Sequence, residues 1–173
     1  MQPSTTDVSC FQMRATCFAF IAVLMAPLVH AQTMPAFSGH SIQLPNGIEC
    51  TENSMTLRVV ALRDGVLRVR ESGSGALPED ASWAVLPAAR AASVPVTQEP
   101  NGFHTGELRV VVGAALQLTV TDLAGNVLQQ DAEPIQWHGA GFRIAKRKLD
   151  ADHFFGLGDK PGPLDRVGEA FTM

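Results

Sequence analysis

A chain of 173 residues, 46% hydrophobic and 17% charged, holds enough apolar material for one globular domain with a real core, which excludes a disordered or collagen-like polymer. Its 13 basic residues against 17 acidic ones give a formal charge of -4. A nucleic-acid backbone would therefore meet mild repulsion where a binder offers a basic patch, and nucleic acid is excluded as a partner.

In chain order the first signal is a leader. From Met13 the run MRATCFAFIAVLMAPLVHAQ places one positive charge before an apolar stretch from Ala15 to Val29, with Ala31 at its end. That is the charged start, hydrophobic middle and small-residue cut site of a secretory signal peptide. Residues 1–31 are expected to be removed, with Met13 the preferred start of translation, and the mature protein is expected to be secreted or periplasmic. No membrane anchor is expected after cleavage, since the apolar stretch falls short of the ~20 residues a spanning helix needs and Pro27 interrupts it. Cleavage removes Cys10 and Cys17, leaving Cys50 and no possible intramolecular disulfide. With no His or Asp at an informative spacing, Cys50 reads as a small half-buried residue and not as a nucleophile.

Strand signals follow at short intervals. HSIQL and GIEC flank the turn Pro45-Asn46-Gly47. In MTLRVVALRDGVLRVRES, Leu57, Val59 and Ala61 share one face, Asp64-Gly65 turns the chain, and Leu67 and Val69 return with Arg68 and Arg70 pointing the other way, which defines a hairpin. Residues 72–101, rich in Ala and Pro, are expected to cross between sheets as a strand with irregular flanks. Then ELRVVVGAALQLTVTDLAGNVLQQ alternates at Leu108, Val110 and Val112, breaks at Gly113, alternates again at Leu116, Leu118 and Val120, and turns at Ala124-Gly125-Asn126, a β-meander. GFRIAKRKLD closes the series with Phe142 and Ile144 on one face. With no sustained helical period, the chain is expected to be all-β, a two-sheet antiparallel β-sandwich of roughly eight to ten strands.

Side chains able to do chemistry are scattered. His40, His104, His138 and His153 stand singly, none at the spacing that aims two imidazoles at one metal, so neither metal nor cofactor is expected. Lys146-Arg147-Lys148 reads as a solvated strand edge. Gly156-Leu157-Gly158-Asp159-Lys160 has the glycines of a phosphate cradle but not its spacing, and Pro161 stands where Ser or Thr is required. Asp159 and Asp165 are a pair of carboxylates, yet spacing alone does not set them a few Å apart across a sugar, and surface turn aspartates are the default. No nucleophile, base and orienter set is present, so no catalytic residue is assigned. Trp83 and Trp137, the 2 tryptophans of a chain without tyrosine, are the candidates for stacking a sugar ring.

The last segment, HFFGLGDKPGPLDRVGEAFTM, is a shaped loop, its glycines opening backbone angles that Pro161 and Pro163 then constrain. Its run from Phe154-Phe155-Gly156 through Leu164-Asp165-Arg166, then Gly168 and Phe171-Thr172-Met173, resembles the end of the N-terminal β-sandwich in glycoside hydrolase family 31, the α-glucosidase and α-xylosidase family. The family pattern there is an aromatic pair, Gly-Leu-Gly-Glu-Lys, a small residue, Gly, then Leu-Asp-Arg or Leu-Asn-Lys, a further Gly and an aromatic-Thr-Met. Residues 66–70 with 82–85, and 105–110 with 122–126, agree in order and spacing. The chain departs at Asp159, where Glu is usual, and at Val167-Gly168-Glu169-Ala170, where the family is often more basic.

The resemblance implies a galactose-mutarotase-like sandwich over 32–173, followed in the family by a catalytic (β/α) barrel whose two aspartates perform retaining hydrolysis of α-linked glycosides. The chain is thus expected to be a C-terminally incomplete module, inactive alone, with the barrel of a parent enzyme as partner and an α-linked oligosaccharide as ligand. In the family this module lends loops to the rim of the substrate pocket, which makes Asp165 and Arg166 candidates for shaping that junction. As residues alone, they read as stabilising a glycine-proline turn. Two functions stay open: an accessory module of a secreted α-glycosidase, and a free-standing carbohydrate-binding sandwich without catalysis.

Overall fold

The computed structural model describes residues 36–139, 141–156 and 161–170. The expected signal peptide, residues 157–160 of the terminal loop and the closing 171–173 lie outside the described residues.

Alternating apolar residues build antiparallel sheets. β1 (His40–Leu44), β2 (Gly47–Glu52), β3 (Met55–Arg63) and β4 (Val66–Ser72) pair in that order into a four-stranded sheet. The turn from β2 to β3 places Asn53 and Ser54 at φ 48 and 66, the left-handed pair whose twist suits a two-residue hairpin. Across β3 and β4, Val59 faces Val69 and Ala61 faces Leu67, with a bulge between Ala61 and Arg63. Leu57, Val59 and Ala61 are fully buried, whereas Val69, on edge strand β4, is half-exposed.

The second sheet has five strands in sequence order: β5 (Thr97–Glu99), β6 (Gly102–His104), β7 (Leu108–Val112), β8 (Leu118–Asp122) and β9 (Val127–Gln130). A 3-10 turn, Ala114–Leu116, links β7 to β8, so Leu116 reaches the core from a turn and not from the strand expected of it. β10 (Gln136–His138) and β11 (Gly141–Arg143) form a separate hairpin. The 11 strands among the described residues exceed the expected number because four of them, β5, β6, β10 and β11, span 3 residues each. Segment 73–96 holds no strand, only the 4-residue helix α1 (Pro87–Arg90). Pro78, Pro87 and Pro95 lack the N–H a ladder needs, so the strand expected within 72–101, which does cross from the first sheet to the second, is confined to β5 at its end.

The domain is all-β, built of antiparallel sheets with almost no helix. Both sheets turn their apolar faces into one core, Ile48, Leu57 and Val59 from the first and Phe103, Val110, Val112 and Leu118 from the second. Hydrogen bonds join the sheets at their rims. Gln98 Nε2 donates to Leu44 O (2.6 Å) and Gly47 O (3.2 Å). The buried Thr105 hydroxyl donates to Asp64 O at 2.7 Å, and Asp64 Oδ1 accepts Gly106 N at 3.0 Å.

Cys50 is fully buried and not half-buried, because β2 lies inside its sheet and turns this side chain to the core. Burial, then the charges of Glu49 and Glu52, push its thiol from 9.0 up to about 12. The native thiol is expected to resist Ellman's reagent at neutral pH and to react once the chain is unfolded in urea. The folded pKa is raised, so the folded chain holds a proton that the unfolded chain releases. Stability is then lost as pH rises from about 9 towards 12, at a limiting slope of order 1 kcal/mol per pH unit. Cys50→Ala should remove that part of the alkaline decline, as denaturation at stepped pH would reveal.

Candidate functional site

The terminal loop is closed by one carboxylate. His153 Nδ1 lies 2.5 Å from Asp165 Oδ2, while Asp165 Oδ1 accepts the backbone N–H groups of Val167 (3.1 Å) and Phe154 (3.3 Å). Arg166 N donates to Phe154 O at 2.7 Å, and its Nη1 donates to Pro161 O at 3.2 Å. The two residues singled out in the sequence therefore sew the arms of the loop together. Gly156 and Gly162 sit at φ 103 and 116, backbone angles open essentially to glycine alone.

The hydrogen bond to His153, then the Val167 amide, hold the Asp165 carboxyl below the ordinary carboxylate range. Its folded pKa is depressed, so this support is present above the unfolded carboxylate pKa and is lost as pH falls through the folded value. A histidine and carboxylate in contact form two thirds of a hydrolytic triad. Among the described residues, however, no hydroxyl or thiol is hydrogen-bonded to His153. Nor does any group of three or more His, Cys, Asp or Glu among them stand ready to hold a metal.

The tryptophans occupy contrasting places. Trp137, on β10, has its ring 5.6 Å from that of Phe142 on β11, tilted by 54°. On another side it closes over Gly73, where a Cβ would come within 2.6 Å of the indole. It helps to wall a cavity of about 290 Å³ together with Val69, Glu71, Gln129, Ile144 and Lys146. Burial, then the charge of Asp131, raise the Glu71 carboxyl above its ordinary range, with Lys146 opposing them. Lys146, Arg147 and Lys148 are all exposed, as the solvated reading requires, though outside any named strand, and Lys146 also pairs with Asp131. Trp83 stands on segment 73–96 and is 100% exposed. Asp165 and Arg166 thus meet in one loop, while the cavity beside Trp137 is lined by neither of them nor by Trp83.

Sequence reasoning missed His153 as the partner of Asp165 and Glu71 as a wall of the cavity. A separation of 12 residues across a loop carries no periodic signal. Glu71 could have been placed, because it alternates with Leu67 and Val69 and so belongs to the apolar face of β4.

These features define a small antiparallel all-β domain with a pinned C-terminal loop and no assembled catalytic set among its described residues. The glycosyl hydrolase 31 N-terminal galactose mutarotase-like domain model matches residues 56–173. The chain belongs to that family. Similar solved structures include the family 31 dextranase of Flavobacterium johnsoniae complexed with isomaltotriose, at 22% identity and a TM-score of 0.62 over 79% of this chain and 17% of that one. Another is a family 31 α-xylosidase from a soil metagenome complexed with xylose, at 19% identity and a TM-score of 0.62 over 75% of this chain and 24% of that one. At such identities the likeness is one of fold. The chain spans less than a quarter of either enzyme's length. No curated protein matches the sequence.

Proposed function

We propose that this chain is the N-terminal accessory module of a secreted or periplasmic glycosidase acting on α-glucosides or α-xylosides. It supports the rim of a barrel's substrate pocket and hydrolyses nothing by itself. The observation that carries this reading is the family match, which runs from β3 through the terminal loop. In this reading residues 1–31 are a cleaved signal peptide and 32–173 a two-sheet galactose-mutarotase-like sandwich. Asp165 and Arg166 hold the loop that meets the barrel. Phe154, Phe155 and Leu164, half to three-quarters exposed on that loop, supply the apolar contact such a partner would cover.

A second reading, a free-standing carbohydrate-binding sandwich, draws its support from Trp83, whose ring is wholly open to solvent as stacking on a sugar requires. One titration separates the two. The chain is incubated with isomaltotriose and with xylose while tryptophan emission is followed and released sugar is assayed. No hydrolysis and no saturable change in emission is the expected result for an accessory module. A saturable change abolished by Trp83→Ala or Trp137→Ala would favour sugar binding, and hydrolysis by the chain alone would sink both readings.

A further inference from the structure

The outer face of the four-stranded sheet carries its charges unevenly. Arg58 on β3 and Arg70 on β4 are direct cross-strand partners, a juxtaposition of like charges that costs stability unless an anion offsets it. Glu49 accepts from Arg58 through both Nε and Nη2 at 2.5 Å. For Arg70, the carboxylate within ion-pair distance is Asp80, 4.0 Å from its Nη1, and Asp80 is already gripped by both terminal nitrogens of Arg68. Arg90 adds its own guanidinium, donating to the Asp80 carbonyl at 2.9 Å. Two carboxylates therefore pair with three arginines here, and a fourth reaches only a backbone carbonyl, on a chain whose formal charge is -4.

Two of these arginines, Arg58 and Arg70, line a concavity in which Glu49 is the acid, while Arg68 and Arg90 face a separate hollow. Segment 75–78 arches over the sheet, tied down by a hydrogen bond from Arg70 Nη2 to Pro78 O, and beneath it lies a cleft of about 510 Å³. Thr51, Thr56, Arg58 and Arg70 line its sheet side, and Glu49 is the acid in its wall. All of these side chains alternate with core residues such as Cys50, Leu57 and Val59, so the pleat aims them to one face. The Arg70 side chain is only 17% exposed, and charge in such a partly dried site acts more strongly than in water.

We infer that this cleft binds a small oxyanion, the carboxylate of an acidic sugar or inorganic phosphate, between the guanidinium groups of Arg58 and Arg70. Nη1 of each arginine carries hydrogens that neither Glu49 nor Pro78 O takes and that can donate to the oxygens of either group, and the hydroxyls of Thr51 and Thr56 can donate beside them. The site stands apart from the terminal loop, and its success or failure leaves the accessory-module reading untouched.

Isothermal titration calorimetry on the chain, at fixed ionic strength in sodium chloride, tests it with sodium phosphate, sodium glucuronate and neutral glucose. Saturable binding of phosphate or glucuronate is expected, with Kd on the order of 1 mM and about tenfold weaker in Arg58→Gln. Glucose should give no saturable heat. Phosphate binding without glucuronate assigns a free inorganic anion, and tighter glucuronate assigns an acidic sugar. Arg70→Gln should lose the site as well. Should releasing segment 75–78 unfold that variant, Arg58→Gln, on the outer face of the sheet, still decides. Undiminished binding in Arg58→Gln, equal binding of glucose, or no saturable heat from either anion would overturn the site.

Discussion

Truncating Phe103 to alanine is expected to lower the unfolding free energy by about 3–5 kcal/mol, a large share of the 5–15 kcal/mol or so that a domain usually possesses. Phe103 is the largest fully buried side chain among the described residues. It is the middle residue of β6, paired with Gln98 on one side and Val110 on the other, and β6 lies against β2 across the core. A void opened there is walled by strand backbones already fixed in two ladders, so little can collapse into it. The cavity term therefore adds to the lost transfer energy. Phe103→Leu keeps much of the volume and should cost clearly less. Urea unfolding of both variants checks this, and an alanine variant whose midpoint matches the parent would show that the core repacks freely. The consequence extends beyond the core, since β6 leads into Thr105, whose hydroxyl ties the second sheet to Asp64 of the first.

How much of this was legible follows from strand length. β3, β7 and β8 run for 5 to 9 residues, long enough for Leu57, Val59, Val110, Val112, Leu118 and Val120 to declare a buried face by alternation alone. β6 is Gly102, Phe103 and His104, too short to alternate, so the largest core residue had no pattern to announce it. Segment 73–96 misled for a related reason. Its apolar composition suggests a strand, but it is held by Arg68 and Arg90 on Asp80 and by Arg70 on Pro78, contacts that exist only once the sheet is formed. In the terminal loop, glycine and proline marked a shaped turn and pointed to Asp165. Its closure on His153 is a tertiary fact that no local spacing encodes.

Alanine at Gly47 or at Gly102 is expected to do damage comparable to the loss of Phe103, by crowding instead of emptying. A Cβ at Gly47 would lie 2.0 Å from Val59 O and 2.8 Å from Val60 Cα, and one at Gly102 would lie 2.0 Å from Val110 O. These obstacles are backbone atoms of the neighbouring strand, not side chains that could turn aside. Each glycine opens an inner strand, β2 between β1 and β3, and β6 between β5 and β7. Relief therefore requires a whole ladder to separate, beginning with the pairs Gly47↔Val60 or Gly102↔Val111. Moving Gly47 also pulls its carbonyl from Gln98 Nε2, one of the bonds that join the sheets. The expected cost is about 3 kcal/mol or more for either variant, a fall of roughly 10 °C in Tm for a domain of this length. Gly141→Ala is the control, because its Cβ would meet only His138 O, at 3.6 Å, and should change Tm little. If Gly47→Ala melts with that control, β2 and β3 can part without loss, and the close approach of their backbones does not hold the first sheet in place over the core.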